Sequence, residues 1–214
     1  TVSVSVSKPE RKDVSILLEQ SGNVIAYETV AVRSRLDSQI MSVAFKNGDV
    51  VEKGALLFVL DDRASKAEEK QLAANVMRDR AQLDNLRQQY QRSIILTQKK
   101  IQAKANLDQT KAAFLAQEAT VGASQAALDA VRVQLAYTRI TSPLSGRAGT
   151  IRVTAGNTVK ANDTESLVTI NQIQPIRVQM ALPQNTLSLV RSAIKAGEVE
   201  VLAQVEGVEM PVKG

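Results

Sequence analysis

Residues 35–60 read RLDSQIMSVAFKNGDVVEKGALLFVL, and residues 143–170 read PLSGRAGTIRVTAGNTVKANDTESLVTI. A shift of 108 residues lays the second stretch over the first, with Val43 on Ile151, Phe45 on Val153, Gly48 on Gly156 and Val51 on Val159. Each copy alternates apolar and polar residues around a glycine, which reads as two short strands and a tight turn. Asn47-Gly48 is the pair best suited to positive φ in such a turn. Neither copy can hold a core alone, so the two are expected to pair.

What lies between the copies has another character. No Gly or Pro occurs between Gly54 and Gly122, and no Pro from Glu10 to Ser142. In a helix interior Pro costs about 3 kcal/mol and Gly about 1 kcal/mol, so a long stretch free of both, rich in Ala, Gln, Leu, Lys and Arg, reads as helix. Leu107, Phe114, Val121, Leu128 and Leu135 recur every seven residues, and Leu72, Val76, Leu83, Leu86 and Tyr90 follow the same coiled-coil rule. Ala112, Ala116, Ala119, Ala123, Ala126 and Ala130 form a second stripe on the opposite side. That stripe is either a solvated face or a face for a second subunit. No turn signal divides this helix. The flanking copies must meet, however, so the helix is expected to double back near residues 98–102, halfway between Leu60 and Ile140. Each arm then has about 35 residues, or roughly 50 Å at 1.5 Å per residue. Val76 and Val121 are expected at matched heights on the two arms.

Composition removes whole classes of function. The 214 residues include no Cys and no His. Disulfides, thiolate chemistry, histidine metal sites and Ser-His-Asp mechanisms are thereby excluded. Aromatics make up 3% of the chain, so packing is aliphatic. No run approaches 18 apolar residues, and the first residues, TVSVSVSKPERKD, contain no apolar signal core. The expectation is a cytoplasmic chain, or a mature or trimmed part of a longer one. Net charge is +5, and residues 85–107 carry Arg87, Arg92, Lys99, Lys100 and Lys104 with no acid, which accounts for all of it. The charge therefore sits at the expected bend, where it reads as a solvated end, a nucleic-acid surface or a docking surface for an acidic protein partner. With Tyr90 the one aromatic there and no binding motif, nucleic acid is disfavoured.

The two halves share a motif: Phe45 or Val153, then Gly48 or Gly156 three residues on, then Val51 or Val159 three further. Together with the segment from Leu135 to Gly156, this resembles the split lipoyl domain of periplasmic adaptor proteins. These are also called membrane-fusion proteins, and serve tripartite efflux pumps, notably of the resistance-nodulation-division class. The resemblance implies an α+β, elongated, multidomain chain. A partial β-barrel would take residues 1–23 and 173–214. A split lipoyl β-sandwich would take 24–61 and 139–172, and an antiparallel α-helical hairpin 62–138. The membrane-proximal domain would be absent. Gly48, Gly54, Gly146 and Gly156 would be the turns of the lipoyl domain. The family's hairpin tip carries Arg, then Leu four residues on, then Ser eleven after the Arg. Here Arg92 and Leu96 match, and Ala103 stands in place of the serine. Arg92, Leu96, Lys99, Lys100 and Ala103 would form a tip that docks on an outer-membrane channel.

By the same resemblance, the chain would be no enzyme and would hold no cofactor or metal. Its partners would be an inner-membrane transporter, the outer-membrane channel and further copies of itself, in a hexamer. It would lie in the periplasm, attached to the inner membrane in the full-length protein. Two other readings remain: an adaptor of an ATP-driven exporter or type I secretion system, and a biotin or lipoyl carrier. A carrier presents a lysine at the junction of the halves, and here the helical insertion fills that place, with Lys53 and Lys160 beyond the turns. Asp61-Asp62 reads as a helix N-terminal cap rather than a catalytic pair. Near the end, Pro183 opens a short amphipathic helix with Leu187, Val190 and Ile194 on one face and Gly197 as its stop. Val199, Val201, Ala203 and Val205 then alternate as a strand.

Overall fold

The computed structural model describes residues 8–10, 17–161, 163–197, 199–204 and 212–213. Its strands and helices, in chain order, begin with β1 (Gly22–Ala26), β2 (Thr29–Val32), β3 (Ser38–Val43), β4 (Val50–Val51) and β5 (Leu56–Leu60). Two long helices follow, α1 (Arg63–Gln98) and α2 (Lys104–Tyr137). After them come β6 (Arg139–Thr141), β7 (Gly146–Ala148), β8 (Thr158–Val159), β9 (Val168–Asn171) and β10 (Ile176–Met180). The last are α3 (Leu187–Ala196), β11 (Leu202–Ala203) and β12 (Val212–Lys213). The chain divides into two units: Ala26–Pro175, and Thr1–Ile25 with Ile176–Gly214.

The first unit contains the sandwich and the hairpin. Its strands form two four-stranded sheets, in the orders β2-β9-β7-β4 and β6-β5-β3-β8. Each sheet draws strands from both sequence copies, so the halves interdigitate rather than lie side by side. The cross-links repeat with the sequence. The Gly48 N–H donates to the Ala148 carbonyl (3.0 Å) and the Gly156 N–H to the Ile40 carbonyl (2.8 Å). The Ala148 N–H donates to the Asp49 carbonyl (2.8 Å) and the Ile40 N–H to the Asn157 carbonyl (2.9 Å). The 108-residue shift maps one pair of bonds on the other. Gly48 and Gly156 hold φ of +82° and +93°, a region in which a side chain would collide with its own backbone. The apolar faces meet in one core built on Ile40, Leu57, Phe58, Leu60, Val168 and Ile170. Phe45 meets Phe58 edge to face at 5.4 Å.

Gly54 also has positive φ, at +86°. Gly146 departs from the expectation: it is not a turn but the first residue of β7. A Cβ there would sit 2.3 Å from the Asn171 carbonyl oxygen. The site needs glycine because β9 passes too close, not because of φ.

The hairpin grows from the sandwich through short-range bonds. The Asp61 N–H donates to the Gln39 carbonyl (2.8 Å), and the Leu60 N–H to the Thr138 carbonyl (2.8 Å). At the start of α1, the Asp61 carboxylate accepts from the backbone N–H of Arg63 (3.1 Å) and from its guanidinium (2.6 Å). Asp62 occupies the N-cap position without a side-chain cap bond, and pairs with Lys66 at 2.7 Å. Of the Asp61-Asp62 pair expected to cap the helix, Asp61 accepts the N–H bond while Asp62 contributes its charge to the first turn.

Along α1 the seam runs through Leu72, Val76, Asp79, Leu83, Leu86, Tyr90, Ser93 and Thr97, in steps of four and three. Along α2 it runs through Leu107, Thr110, Phe114, Gln117, Val121, Ser124, Leu128 and Val131. This is the antiparallel coiled-coil hairpin that the heptads call for. The alanine stripe, from Ala112 to Ala130, is exposed. The register differs from the expected one. Asp79 bonds to Ser124, and Arg80 to Gln125 (2.9 Å). One turn further along each helix, Val76 stands opposite Leu128, not Val121. The bend is centred slightly beyond residue 100, which moves every pairing by several residues.

In the other unit, β1 pairs with β10, and β11 with β12 in antiparallel register. Pro183 precedes a single 3₁₀ turn, and α3 follows with Leu187, Val190 and Ile194 along one side. Gly197 ends it at φ +73°, a left-handed cap. Strand β11 is shorter than the expected run, and Val205 lies outside the described residues.

Candidate functional site

Among the described residues no group of acids could hold a metal ion, and no helix is long and apolar enough to cross a membrane. The chemistry that stands out is at the hairpin bend. Helix α1 ends without glycine. Lys99 is its C-cap, and Lys100 takes φ +59°. The Ile101 N–H donates to the Leu96 carbonyl (3.0 Å), and the Lys100 N–H to the Thr97 carbonyl (3.0 Å). These are the two bonds of a Schellman cap, which usually places glycine where Lys100 stands. Ala103, extended at ψ 146°, then starts α2.

The cap decides what the bend displays. Its apolar pair, Leu96 and Ile101, remains 38% and 70% exposed, and Ile95 is 51% exposed beside them. Lys99, Lys100, Ala103 and Lys104 are exposed around them. Arg92 lies two turns back on α1, also exposed, its Nε donating to its own helix at the Gln88 carbonyl (3.3 Å). None of these cations forms an ion pair among the described residues. The pairs along the hairpin are elsewhere: Asp62–Lys66, Asp79–Arg78, Glu69–Arg132 and Asp129–Arg132. The bend therefore combines exposed apolar side chains with exposed cations that form no ion pair among the described residues. All five residues expected at a tip lie on this end of the hairpin or within two turns of it. Ile95 and Ile101 were missed. Their signal was available, since two β-branched apolar residues beside three lysines fit no seam position.

Further down, the seam holds a buried carboxylate. Asp79 is 5% exposed. It accepts from the Ser124 hydroxyl and from Arg78 Nε (2.9 Å), and its backbone carbonyl accepts from Gln117 Nε2 (3.1 Å). The Ser124 hydroxyl, and then Arg78, hold the Asp79 carboxyl below the usual aspartate range. Asp61, at the root, is lowered to about 2, chiefly by hydrogen bonds from the Arg63 side chain and then from its N–H. Of the four glycines expected as lipoyl turns, Gly48, Gly54, Gly146 and Gly156, none is near the bend; all belong to the sandwich.

Residues 28–171 match the family described as RND MFP, barrel-sandwich hybrid domain. Two relatives, each called multidrug resistance protein MdtA, are similar over most of the chain. That of Cronobacter turicensis is 35% identical over 177 residues, covering 83% of this chain and 43% of the relative. That of Pectobacterium carotovorum is 33% identical over 195 residues, covering 91% and 47%. The chain thus spans less than half the length of these relatives. Among solved structures, the membrane fusion protein Spr0693 from Streptococcus pneumoniae superposes with a TM-score of 0.64 at 17% identity, over 90% of this chain and 81% of that one. A MacA-MexA chimera with the Pseudomonas aeruginosa MexA α-hairpin domain gives 0.56 at 22% identity, over 91% and 64%. These two likenesses show the fold.

Proposed function

The chain belongs to the membrane-fusion proteins of the resistance-nodulation-division class, and from that premise we propose that it is part of a periplasmic adaptor. In this reading it links an inner-membrane transporter to an outer-membrane channel, in the periplasm and attached to the inner membrane. It carries out no chemistry of its own. Several copies, six in the assembled pump, stand side by side as a tube. The transporter is of the proton-driven class rather than an ATP-driven exporter. Residues 24–61 and 139–172 serve as the lipoyl platform, 62–138 as the hairpin, and 1–23 with 173–214 as part of a β-barrel domain. The MdtA relatives, whose name speaks of multidrug resistance, support an efflux role.

The single observation that carries the docking assignment is the bend. Leu96, Ile95 and Ile101 are exposed together, with Arg92, Lys99, Lys100 and Lys104 exposed on the same end and in no ion pair among the described residues. A channel end with carboxylates or carbonyls around an apolar seat would complement it, since guanidinium and ammonium groups make charge-assisted bonds there. With several copies per assembly, small losses at each tip multiply. In cells producing the full-length protein at normal level, Leu96→Asp should abolish efflux while the purified chain stays folded. Arg92→Glu should weaken channel binding, less so at high salt because exposed charges are screened. Ala103→Ser should be tolerated. Normal efflux in both Leu96→Asp and Arg92→Glu cells would remove the bend as the docking site.

A further inference from the structure

The seam of the hairpin changes character beyond the Tyr90–Phe114 stack. Below it, Val76, Leu128 and Val131 are buried, and four polar contacts cross between the helices: Glu69–Arg132, Asp79–Ser124, Arg80–Gln125 and Gln117 to the Asp79 carbonyl. The two rings stack at 5.8 Å, 16° from parallel, with the Arg87 guanidinium 5.9 Å from Phe114. Above that point the seam positions are Ser93, Thr97, Thr110 and Leu107, with Ile94 half-buried beside them. Ser93 is 3% exposed. The Ser93 and Thr97 hydroxyls are buried without a hydrogen-bond partner. The Thr110 hydroxyl is taken by its own helix, at the Asn106 and Leu107 carbonyls. Among the described residues no polar contact crosses the seam there.

We infer that the end of the hairpin beyond Tyr90–Phe114 is a separately opening unit, poised between a closed state and one in which its helices part. A buried hydroxyl without a partner favours the state in which water or another group can reach it. Two of them, one helical turn apart on one seam, act on the same local equilibrium. Opening returns both to hydrogen bonding, and the large apolar side chains it uncovers, Ile94 and Leu107, are only half-buried in the closed state. The stack and the Asp79–Ser124–Gln117 layer halt the opening, since parting there would break the two hydrogen bonds that cross the seam at Asp79, one to its buried carboxylate and one to its backbone carbonyl. In the open state each helix end loses its partner and frays, so its amides become exchangeable. Separation leaves Ser93 and Thr97 as free donors beside Leu96 and Leu107. The inference rests on the seam alone and holds whatever the tip touches.

Amide hydrogen exchange on the whole chain tests it, with the Ser93→Ala/Thr97→Val variant, which keeps the seam volume nearly unchanged and removes both hydroxyls. In the parent, amides of residues 93–98 and 104–110 should exchange at least about tenfold faster than those of 76–86 and 121–131. In the variant, the first set should slow by roughly tenfold and the second should not change. Ser93→Ala alone should give part of the slowing. Equal rates in the two sets of the parent would overturn the inference. So would fast end amides that the variant leaves unchanged, because ordinary fraying of helix ends does not depend on those hydroxyls.

Discussion

Near the sandwich the two helices are tied by buried aliphatic layers and by a buried carboxylate that bonds across the seam to Ser124; at the far end hydroxyls line the seam without bonding across it, and the apolar residues Ile95, Leu96 and Ile101 are exposed. Both ends come from one heptad pattern, so period alone does not distinguish them. The difference lies in which residue types occupy the seam and which lie off it. At the base, Val76, Leu128 and Val131 are in the seam and arginines lie outside it. At the tip, Ile95, Leu96 and Ile101 are outside and Ser93 is in the seam. The tip displays apolar surface that the base buries, as the proposed docking role requires.

The sharpest test of this contrast is a matched pair of truncations. Leu128→Ala removes a buried seam residue and should cost about 2–4 kcal/mol, given the range for large-to-small core changes. Leu96→Ala removes a side chain already in part hydrated and should cost less than about 1 kcal/mol. Urea titrations followed by helical circular dichroism would measure both. Comparable losses would mean that the tip is packed like the base.

The sandwich extends the base side of the comparison. Gly146→Ala would bring a Cβ to 2.3 Å from the Asn171 carbonyl oxygen, a backbone atom that cannot turn aside. Strand β7 must then part from β9, at about 1–3 kcal/mol, the usual range for overpacking. A melting temperature equal to the parent's would show that the strands are further apart than described. This glycine also marks where sequence reading stops. Gly48 and Gly156 were legible because a tight turn needs local residues in local order, and the repeat at 108 residues exposed them twice. Gly146 answers to a strand 25 residues away, and no local pattern carries that distance. Its neighbourhood therefore looked like one more turn.

The hairpin was legible to a similar depth. Leucines and valines at heptad spacing announced two arms, and the need for the halves to meet announced a bend. Its exact register was not legible, because the bend contains neither Gly nor Pro and Lys100 takes the left-handed conformation instead. Asp79 was passed over in the seam for being charged, although the step from Val76 to Leu83 leaves a place for it. That residue now sharpens the comparison, since a polar group in a seam can fix register at some cost in stability. In Asp79→Leu/Ser124→Leu, the helices should remain paired while losing their unique alignment. With Cys at 76 and 128, the parent should crosslink within one chain; with Cys at 76 and 121, one heptad off, only the Leu variant should do so. Crosslinking at 76 and 121 in the parent would overturn the register.

Acid should separate the ends as well. Asp61 at the root is held at about 2 by Arg63, and Asp79 in the seam is lowered by Ser124 and Arg78. A carboxylate whose folded pKa lies below its unfolded value, about 3.9 for aspartate, stabilises above that value and stops doing so as pH falls through the folded one. The two groups belong to the base. Their contribution should be whole at neutral pH, begin to fade near pH 4, and for Asp61 be gone below about 2. In Asp61→Asn the melting temperature should fall less steeply between pH 4 and pH 2. An identical slope in parent and variant would contradict the Asp61–Arg63 pairing.

The smallest effect concerns Lys100, and it is the most direct probe of the trade between folding and display. A lysine at φ +59° pays a steric penalty of roughly 1–2 kcal/mol that glycine escapes. Glycine in turn loses more freedom on folding, which takes back about 0.4–1 kcal/mol. Lys100→Gly should therefore stabilise the chain by a few tenths to about 1 kcal/mol. Lys100→Ala keeps the strain and loses the charge, so it should leave stability near the parent's and isolates the backbone effect from the electrostatic one. If glycine and alanine give the same melting temperature, the positive φ is not a feature of the folded chain. If glycine stabilises and alanine does not, a position that folding would give to glycine is held by a lysine. The tip then retains an exposed cation against the preference of its own cap, and the contrast with the base reaches down to a single residue.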